Sequence, residues 1–392
     1  MLKRGFVVLC VSIFIAAIGA GMIAPILPLY AKDLGASGFL LGIIFSGFFI
    51  SMAICNPFIG RLSDRIGEKI LITSGFGFGS LIVLMYVWAS NPTELIIIRF
   101  LHGIAIAMIL PVIMAYIGEL CPIGQEGSYM GVYSMMLFLG MSTGPIVGGI
   151  IVDARGMHFA FYSFTVTLFI AFIATLFLLP SRPKVSVSNI SKYPIKDILS
   201  SAPLKGLFVF NFTLAIAQSG LLVFLPLLAR DKELSITEIG ILASSFIFFG
   251  GILQAPFGWI ANRYNRVKLV ISGTIIIAIG LACLPLATGF YTLLILGGML
   301  GAAAALASPA ANALTVEHSR EIGMGVVMGF LNMFTNLGMI LGPVAAGIVM
   351  DQINLSFAFY LYSLLFFIGA SFFYYFMKDL QNSRQQRVDV GL

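Results

Sequence analysis

Long apolar runs alternate with short polar segments along the whole chain. Each run holds about 20 residues, enough for a helix to cross the roughly 30 Å hydrocarbon core of a bilayer. Backbone groups in lipid must be paired within the segment, and the runs lack the apolar–polar alternation of a barrel strand. The pattern therefore predicts an all-α membrane protein with twelve transmembrane helices, at residues 6–29, 38–60, 70–90, 93–118, 129–152, 157–180, 205–228, 237–260, 268–288, 291–316, 325–350 and 356–377.

One decapeptide occurs twice in slightly different form, as GPIVGGIIVD at 144–153 and, 198 positions later, as GPVAAGIVMD at 342–351. A constant offset over most of a half indicates a duplicated six-helix unit. Because six is an even number, both copies enter the membrane from the same side, which predicts parallel repeats related by an axis along the membrane normal. Other identities at the same offset are Pro28 with Pro226, Gly60 with Gly258, Arg65 with Arg263, Pro111 with Pro309, Glu119 with Glu317, Gly127 with Gly325, and Gly140 with Gly338.

A polar, basic segment, SRPKVSVSNISKYPIKDILSSAPLK, separates the two repeats. It predicts an N-terminal six-helix bundle at 1–180, a cytoplasmic linker at 181–204, and a C-terminal six-helix bundle at 205–392 that ends in a short cytoplasmic tail. The expected architecture is thus two pseudo-symmetric bundles, with a substrate site between them near mid-membrane.

Composition and charge agree with a membrane location. The 392 residues are 59% hydrophobic and 10% charged, whereas a soluble domain carries roughly 25% charged residues. Lys and Arg concentrate in the loops on the side of the N-terminus, so the positive-inside rule predicts that both termini are cytoplasmic. We expect a multi-pass protein of the cell inner (plasma) membrane, a monomer in contact with the lipid bilayer. The net charge of +6 reflects the loop bias, and we expect no nucleic-acid partner, metal or cofactor.

A charged motif, GRLSDRIGEKI at 60–70, joins the second and third predicted helices. In this motif Asp64 can accept hydrogen bonds or face a helix N-terminus, where negative charge is favoured. Arg65 is expected to pair with Glu119, and the second copy would pair Arg263 with Glu317. Such pairs would latch an inner gate in one state and release it in the other. Ordinary anchoring by basic residues is the alternative.

The fifth predicted helix carries glycines four residues apart, which leaves one face without side chains and lets another helix approach closely. A proline in the same stretch bends the helix. We expect gating contacts at Gly140, Gly144, Pro145 and Gly148, and at Gly342 and Pro343 in the second copy; ordinary helix packing is the alternative. Asp153 and Asp351, which close the two decapeptides, are expected to cap outer helix ends and to carry no chemistry.

Arg99 lies inside the fourth predicted span, where a charge is costly and usually faces a partner or a water-filled cavity. His102 follows three residues later, on nearly the same helix face. We expect both to face the central cavity, where they would bind anionic or polar substrate groups or take part in proton coupling. The alternative is that Arg99 bonds backbone carbonyls of a neighbouring helix.

Further polar and adaptable side chains complete the candidate substrate site. Spacings of seven and four put polar pairs on one helix face, although interhelical hydrogen bonding is an equal alternative. Met and Phe side chains could form an adaptable apolar pocket, with packing or lipid contact as the competing roles. The residues are Asn211, Gln218, Asn332 and Asn336 among the polar ones, and Met135 and Phe138 among the apolar ones.

Several motifs together resemble the major facilitator superfamily, and within it the twelve-helix drug:proton antiporters and small-molecule exporters. The loop motif at 60–70 is similar to the family's cytoplasmic-loop signature, IIIRFLHGIAIAM at 96–108 resembles its fourth-helix motif, and FLGMSTGPIVGG at 138–149 its antiporter-associated fifth-helix motif. The resemblance implies the major facilitator fold and a fifth helix that seals one side against leakage.

The resemblance favours a secondary active transporter that exports a small amphipathic or organic molecule by alternating access. Proton antiport is implied by the family alone, because every Asp and Glu lies in a loop or at the end of a predicted span. The open alternatives are an uptake or facilitative carrier for a small anion or metabolite bound through Arg99, and a lipid transporter. An enzyme or ATP-driven pump is not expected, since neither GxxxxGK[ST] nor HExxH occurs.

Overall fold

The structure is a computed structural model that describes residues 4–121, 126–181, 201–319 and 324–389. Within these ranges, twelve helices are long and apolar enough to cross a membrane, as the hydrophobic pattern predicts. They are α1 (Arg4–Ile23 continued by Ile26–Asp33), α2 (Gly38–Ile66), α3 (Glu68–Met85), α4 (Pro92–Ala107 and Leu110–Leu120), α5 (Glu126–Arg155), α6 (Met157–Leu178), α7 (Ala202–Arg230), α8 (Ile236–Ile252 and Gln254–Arg263), α9 (Arg266–Cys283), α10 (Phe290–Ser319), α11 (Met324–Gln352) and α12 (Leu355–Asp389).

Prolines account for the interruptions in three of these helices. The break in α1 falls at Ala24 and Pro25, the break in α4 precedes Pro111, and the break in α8 precedes Pro256. Proline has no amide hydrogen for the helix ladder, and its ring clashes with the preceding turn. Each break therefore lets one span change direction without leaving the membrane.

Helix packing repeats between the two halves of the molecule. In the first half α1 packs on α5 and α6, α3 on α6, and α4 on α2 and α3; in the second, α7 packs on α11 and α12, α9 on α12, and α10 on α8 and α9. Across the halves, α5 packs on α8 and α2 on α11. A two-fold relation exchanges these two pairs, so the duplicated six-helix architecture is confirmed.

Two boundaries differ from the expected ones. The helix α7 begins at Ala202, inside the expected linker, because Pro203 sits in its first turn, where proline is favoured. Residues 182–200 of that linker lie outside the described part of the chain. At the other terminus α12 continues as a helix to Asp389, past the expected end of the last span at 377.

The two ends of the bundle are named here by the chain. The terminal end is the one where α1 begins and α12 ends, and the distal end is the opposite one, where α1 ends and α2 begins.

Candidate functional site

Two aspartates tie the halves together at the distal end. Asp153, near the end of α5, accepts hydrogen bonds from the first two backbone amides of α8, at 3.2 and 2.8 Å. Asp351, near the end of α11, accepts from the first two amides of α2, at 2.6 and 2.8 Å. These amides have no partner inside their own helix, and negative charge is favoured at a helix N-terminus. The two aspartates are caps, as expected, but each caps a helix of the opposite half.

The serines that precede α2 and α8 complete these junctions. Ser37 accepts a hydrogen bond from the Leu40 amide at 3.2 Å, and Ser235 accepts from the Glu238 amide at 3.2 Å. Ser235 and Glu238 form a reciprocal capping box. Since each serine caps the third amide, the first two amides of each helix are left for the aspartate of the other half.

Backbone also meets backbone at the distal end. A Cβ atom on Gly42 of α2 would stand 2.7 Å from the Pro343 carbonyl oxygen of α11. A Cβ atom on Gly149 of α5 would stand 2.6 Å from the Thr237 Cα of α8. An ion pair between Arg230 and Asp33, 2.7 Å apart, adds a further contact between the halves. The halves are therefore in tight contact at this end.

The predicted glycine face of α5 packs against α1 of the same half. A Cβ atom on Gly140 would stand 2.6 Å from the Phe14 carbonyl oxygen, and one on Gly148 would stand 2.7 Å from the Met22 Cα; Gly144 faces Ile18 and Gly21. The second half repeats this contact, since Gly338 and Gly342 face α7. The carbonyl groups of Pro145 and Pro343 lie next to the opposite half, beside Gly240 and Gly42, and the Pro145 ring also faces Gly21 of α1.

The second-half ion pair that the sequence predicted for the inner latch, Arg263 with Glu317, is not formed in this structure. Glu317 accepts a hydrogen bond from Arg266 at 3.0 Å, whereas the guanidinium of Arg263 lies over the Trp259 ring, 3.7 Å from its centroid. Arg263 therefore does not pair with Glu317 in this conformation: Arg266 is the first residue of α9, which packs on the helix that carries Glu317, while Arg263 ends α8 and stacks on its own helix. The latch stays a prediction for the other state.

The corresponding first-half pair is also not an ion pair here. Among the described side chains, Arg65 and Glu119 do not come within ion-pair distance of each other. Arg65 is exposed at the end of α2. The side chain of Asp64 lies outside what the structure describes.

The terminal end holds a cleft between the halves. Its volume is about 540 Å³, and α5, α8 and α10 line it. Met135 and Phe138, predicted for the substrate site, both line this cleft and are 48% and 42% exposed. Phe248, Gln254 and Asn312 face them from the other half. We call this space the cleft; it makes one end of the molecule open while the distal end is closed.

Arg99 and His102 lie elsewhere, in a pocket inside the first half. This pocket has a volume of about 260 Å³ and is lined from α1 to α6, with Leu222 of α7 as the contribution of the second half. Arg99 is 7% exposed and His102 3%. Both residues were expected to face the central cavity between the halves. They line this pocket instead, and it shares no lining residue with the cleft. We call it the α4 pocket.

Aromatic groups surround the cationic side chain in the α4 pocket. The Arg99 guanidinium carbon stands 4.9 Å from the Phe45 ring centroid and 4.5 Å from that of Phe48. The Tyr86 hydroxyl lies near this guanidinium and 3.3 Å from Nδ1 of His102. Such cation–π contacts lower the cost of a buried charge without neutralising it.

The remaining predicted polar residues are not gathered into one site. The Asn211 amide bonds the Leu207 carbonyl of its own helix at 2.9 Å, and Gln218 lines a gap of about 80 Å³ beside α8. Asn332 is exposed and Asn336 half-buried, both on α11. Within the described ranges, no group of three or more His, Cys, Asp and Glu side chains could hold a metal ion.

Two functional features were missed or underrated from the sequence. Tyr86, which links Arg99 to His102, gave no signal, because a tyrosine at the end of an apolar span is common. Asp153 and Asp351 did give a signal, since the repeat puts an aspartate at the same place in both halves. Their role across the halves depends on the packing of α5 on α8 and of α2 on α11.

The sequence of the chain was compared with known proteins, and it shares a common origin with a family of them. A family model described as Major Facilitator Superfamily matches residues 9–228 and 207–389. The chain is 28% identical to an uncharacterized MFS-type transporter of Methanocaldococcus jannaschii, over 91% of this chain and 93% of that one. It is 28% identical to multidrug resistance protein 2 of Bacillus subtilis, with 94% of each covered. It is 26% identical to the quinolone resistance protein NorA of Staphylococcus aureus, with 89% and 91% covered.

Solved structures share the fold at lower identity. A bacterial homolog of the human lysosomal transporter Spinster, in an inward-facing and unoccupied conformation, superposes with a TM-score of 0.79 at 14% identity, covering 95% of this chain and 96% of that one. The nucleoside transporter NupG gives 0.79 at 16%, covering 96% and 100%. At these identities the likeness concerns the fold.

Proposed function

Because the chain belongs to the Major Facilitator Superfamily, we propose that it exports a small amphipathic organic molecule by alternating access. That it is a multi-pass membrane transporter follows from the family and the twelve spans; direction and substrate are the proposed part. The observation that carries the proposal is the asymmetry of the molecule. The halves are capped and in backbone contact at the distal end, and a cleft of about 540 Å³ separates them at the other.

We propose that the cleft opens to the cytoplasm of the cell and that the membrane is the plasma membrane. The basic loops support this orientation, since they lie at the terminal end, and positive loops stay inside. A cleft open to the cytoplasm is the conformation in which an exporter collects its substrate. Rocking of the halves about their packed helices would then close the cleft and part the distal contacts.

The chemistry of the cleft fits an amphipathic substrate. Met135, Phe138 and Phe248 offer flexible, polarizable and aromatic surface, and Gln254 and Asn312 offer hydrogen bonds. Two relatives carry names that refer to multidrug and quinolone resistance, which agrees with export of a foreign organic compound.

Proton coupling is the less supported part of the antiporter mechanism. Of the residues that line the cleft and the α4 pocket in the described structure, none is Asp or Glu. His102 carries the one imidazole among them. A facilitative carrier whose substrate carries its own charge is therefore the second candidate.

Inside-out vesicles made from cells that express the chain test export directly. We expect a fluorescent amphipathic dye to accumulate in them when a pH gradient is imposed, faster than in vesicles without the protein. Phe138→Ala should reduce the initial rate several-fold because it removes apolar contact in the cleft. Phe177→Ala on α6 is the matched control, since Phe177 is 72% exposed and lines neither cavity. Accumulation no faster than in empty-vector vesicles would rule out export, and a rate indifferent to the gradient would rule out antiport.

A further inference from the structure

The α4 pocket carries a positive charge without an acidic neighbour. None of its described lining residues is Asp or Glu, and the rest of its wall is almost wholly apolar. Phe45, Phe48, Phe49, Phe76 and Phe164 contribute five aromatic rings. A charge in such surroundings is costly unless a counter-charge joins it.

Two buried nitrogen atoms of the pocket have no hydrogen-bond partner among the described residues. They are Nε of Arg99 and Nε2 of His102, on side chains that are 7% and 3% exposed. Buried polar atoms are normally hydrogen-bonded, so the lack of a partner at each of these nitrogens needs an explanation. Both side chains line the same pocket, and these two nitrogens are enclosed in its wall.

Nε of Arg99 is a donor because a guanidinium only donates, and the role of Nε2 of His102 depends on the proton at Nδ1. The Tyr86 hydroxyl lies 3.3 Å from Nδ1 of His102, and we infer that it donates its proton there. A neutral imidazole that accepts at Nδ1 carries its hydrogen on Nε2. The pocket therefore carries one positive charge, and two unpartnered nitrogens lie in its wall.

We propose that the α4 pocket binds a compact apolar carboxylate, at a site distinct from the cleft that takes the exported molecule. The carboxylate would accept from Arg99 and His102, and the apolar body would lie among the phenylalanine rings. A monoanion cancels the single charge, a dianion would leave buried excess charge, and a cation would be repelled.

The size and position of the pocket further restrict the class of ligand. A volume of about 260 Å³ is below the roughly 300–1,000 Å³ of pockets that take drug-sized ligands. The ligand is therefore a small ring or branched chain with one acid group. Leu222 of α7 closes the pocket from the second half, so movement of the halves changes access to the ligand.

Binding of three probes with one ring and different charges tests the proposal on the full-length protein in lipid nanodiscs. The probes are benzoate, benzamide and benzylamine, measured by titration calorimetry. We expect benzoate to bind at least about tenfold more tightly than benzamide, which corresponds to about 1.4 kcal/mol, and benzylamine not to bind. In Arg99→Gln the preference for benzoate over benzamide should disappear.

Two further variants separate binding from folding. Ala20→Leu adds bulk to the pocket wall and leaves Arg99 in place, so it should weaken benzoate binding at least about fivefold, roughly 1 kcal/mol. Arg155→Gln is the matched control, because Arg155 is exposed at the end of α5 and lines neither cavity; it should bind benzoate like the unaltered chain. Elution volume and thermal unfolding show which variants are folded.

The binding experiment decides whether the α4 pocket is a carboxylate site, independently of the result of the vesicle experiment. Equal binding of the three probes, no binding of benzoate, or unchanged preference in folded Arg99→Gln would overturn the carboxylate site. Dye export would still be decided by the vesicle rates. Conversely, Arg99-dependent benzoate binding supports the site even where dye export fails.

Discussion

At the scale of single residues, the glycines separate two kinds of contact. Gly140 faces the Phe14 carbonyl oxygen of α1 at 2.6 Å, within one half, whereas Gly42 faces the Val344 Cα of α11 at 2.6 Å, across the halves; both distances are measured from an added Cβ. The first contact persists in any rigid-half motion. The second exists only while the distal end is closed.

Leucine at these two positions should therefore have different effects. Gly140→Leu overpacks one bundle and should lower the free energy of unfolding by about 1–3 kcal/mol, seen as a lower melting temperature. Gly42→Leu should leave the melting temperature nearly unchanged but disfavour distal closure, and reduce transport at least about tenfold, roughly 1.4 kcal/mol.

Gly118→Leu provides the control for both, since no atom lies within 4 Å of an added Cβ on that helical glycine. Gly140 is assigned to a contact within one half and Gly42 to a contact across the halves. This would be contradicted if Gly42→Leu lowered the melting temperature as much as Gly140→Leu, or if folded Gly42→Leu transported normally.

At the scale of helices, the distal closure is a pair of equivalent junctions. Each consists of an aspartate at the end of one helix and the free amides at the start of a helix in the other half. Charge at a helix N-terminus stabilises by about 0.3–1 kcal/mol, more where partly buried. Because the molecule is two-fold, the two junctions form and break together. Their stabilising free energies therefore add in the single equilibrium between the distally closed and distally open states.

Replacing Asp153 and Asp351 together by asparagine should favour the conformation in which the distal end is open. The amide oxygen can still accept hydrogen bonds, so the change removes charge and keeps shape. The double variant should shift the equilibrium roughly threefold to thirtyfold away from the distally closed state. A cysteine at Met135, in a chain with its four native cysteines replaced, should then react more slowly with a water-soluble thiol reagent, because the cleft is closed more of the time.

Asp231→Asn is the control for this shift, because Asp231 is an exposed residue at the same end. An unchanged labelling rate in the double variant would show that the caps do not set the equilibrium.

At the scale of the whole molecule, alternating access requires the distal end to open. The exposed ion pair of Arg230 with Asp33 spans the halves there, and such a pair contributes at most about 1 kcal/mol. Its two side chains can therefore be replaced at little cost to the fold. This gives a site at which the motion can be blocked.

Cysteines at positions 33 and 230, joined by a short cleavable bifunctional thiol reagent, should stop transport. Reductant should restore it, because the block is a tether across the distal end. Each single-cysteine chain treated in the same way should transport normally. Full bridging with continued transport would show that the halves do not separate at this end.

Much of the architecture was predictable from the sequence, because the bilayer restricts the choice of structure. The twelve spans follow from length and hydrophobicity, and the doubled bundle follows from the constant offset between identities. Spacing also predicted that Arg99 and His102 share one cavity and that the glycines of α5 allow close approach. These are properties of one helix or of a repeat, and local periodicity encodes them.

The tertiary structure decided what each face meets. Helix periodicity gives the relative positions of side chains on one helix but not the neighbour they face. Arg99 was therefore expected in a central cavity between the halves and lies in the α4 pocket. The choice of Arg266 over Arg263 as the partner of Glu317 depended on the turn between α8 and α9. The sequence by itself determined the spans, their doubling and the positions of the aspartates. Only packing decided that those aspartates cap the other half, because that contact joins residues more than 80 positions apart.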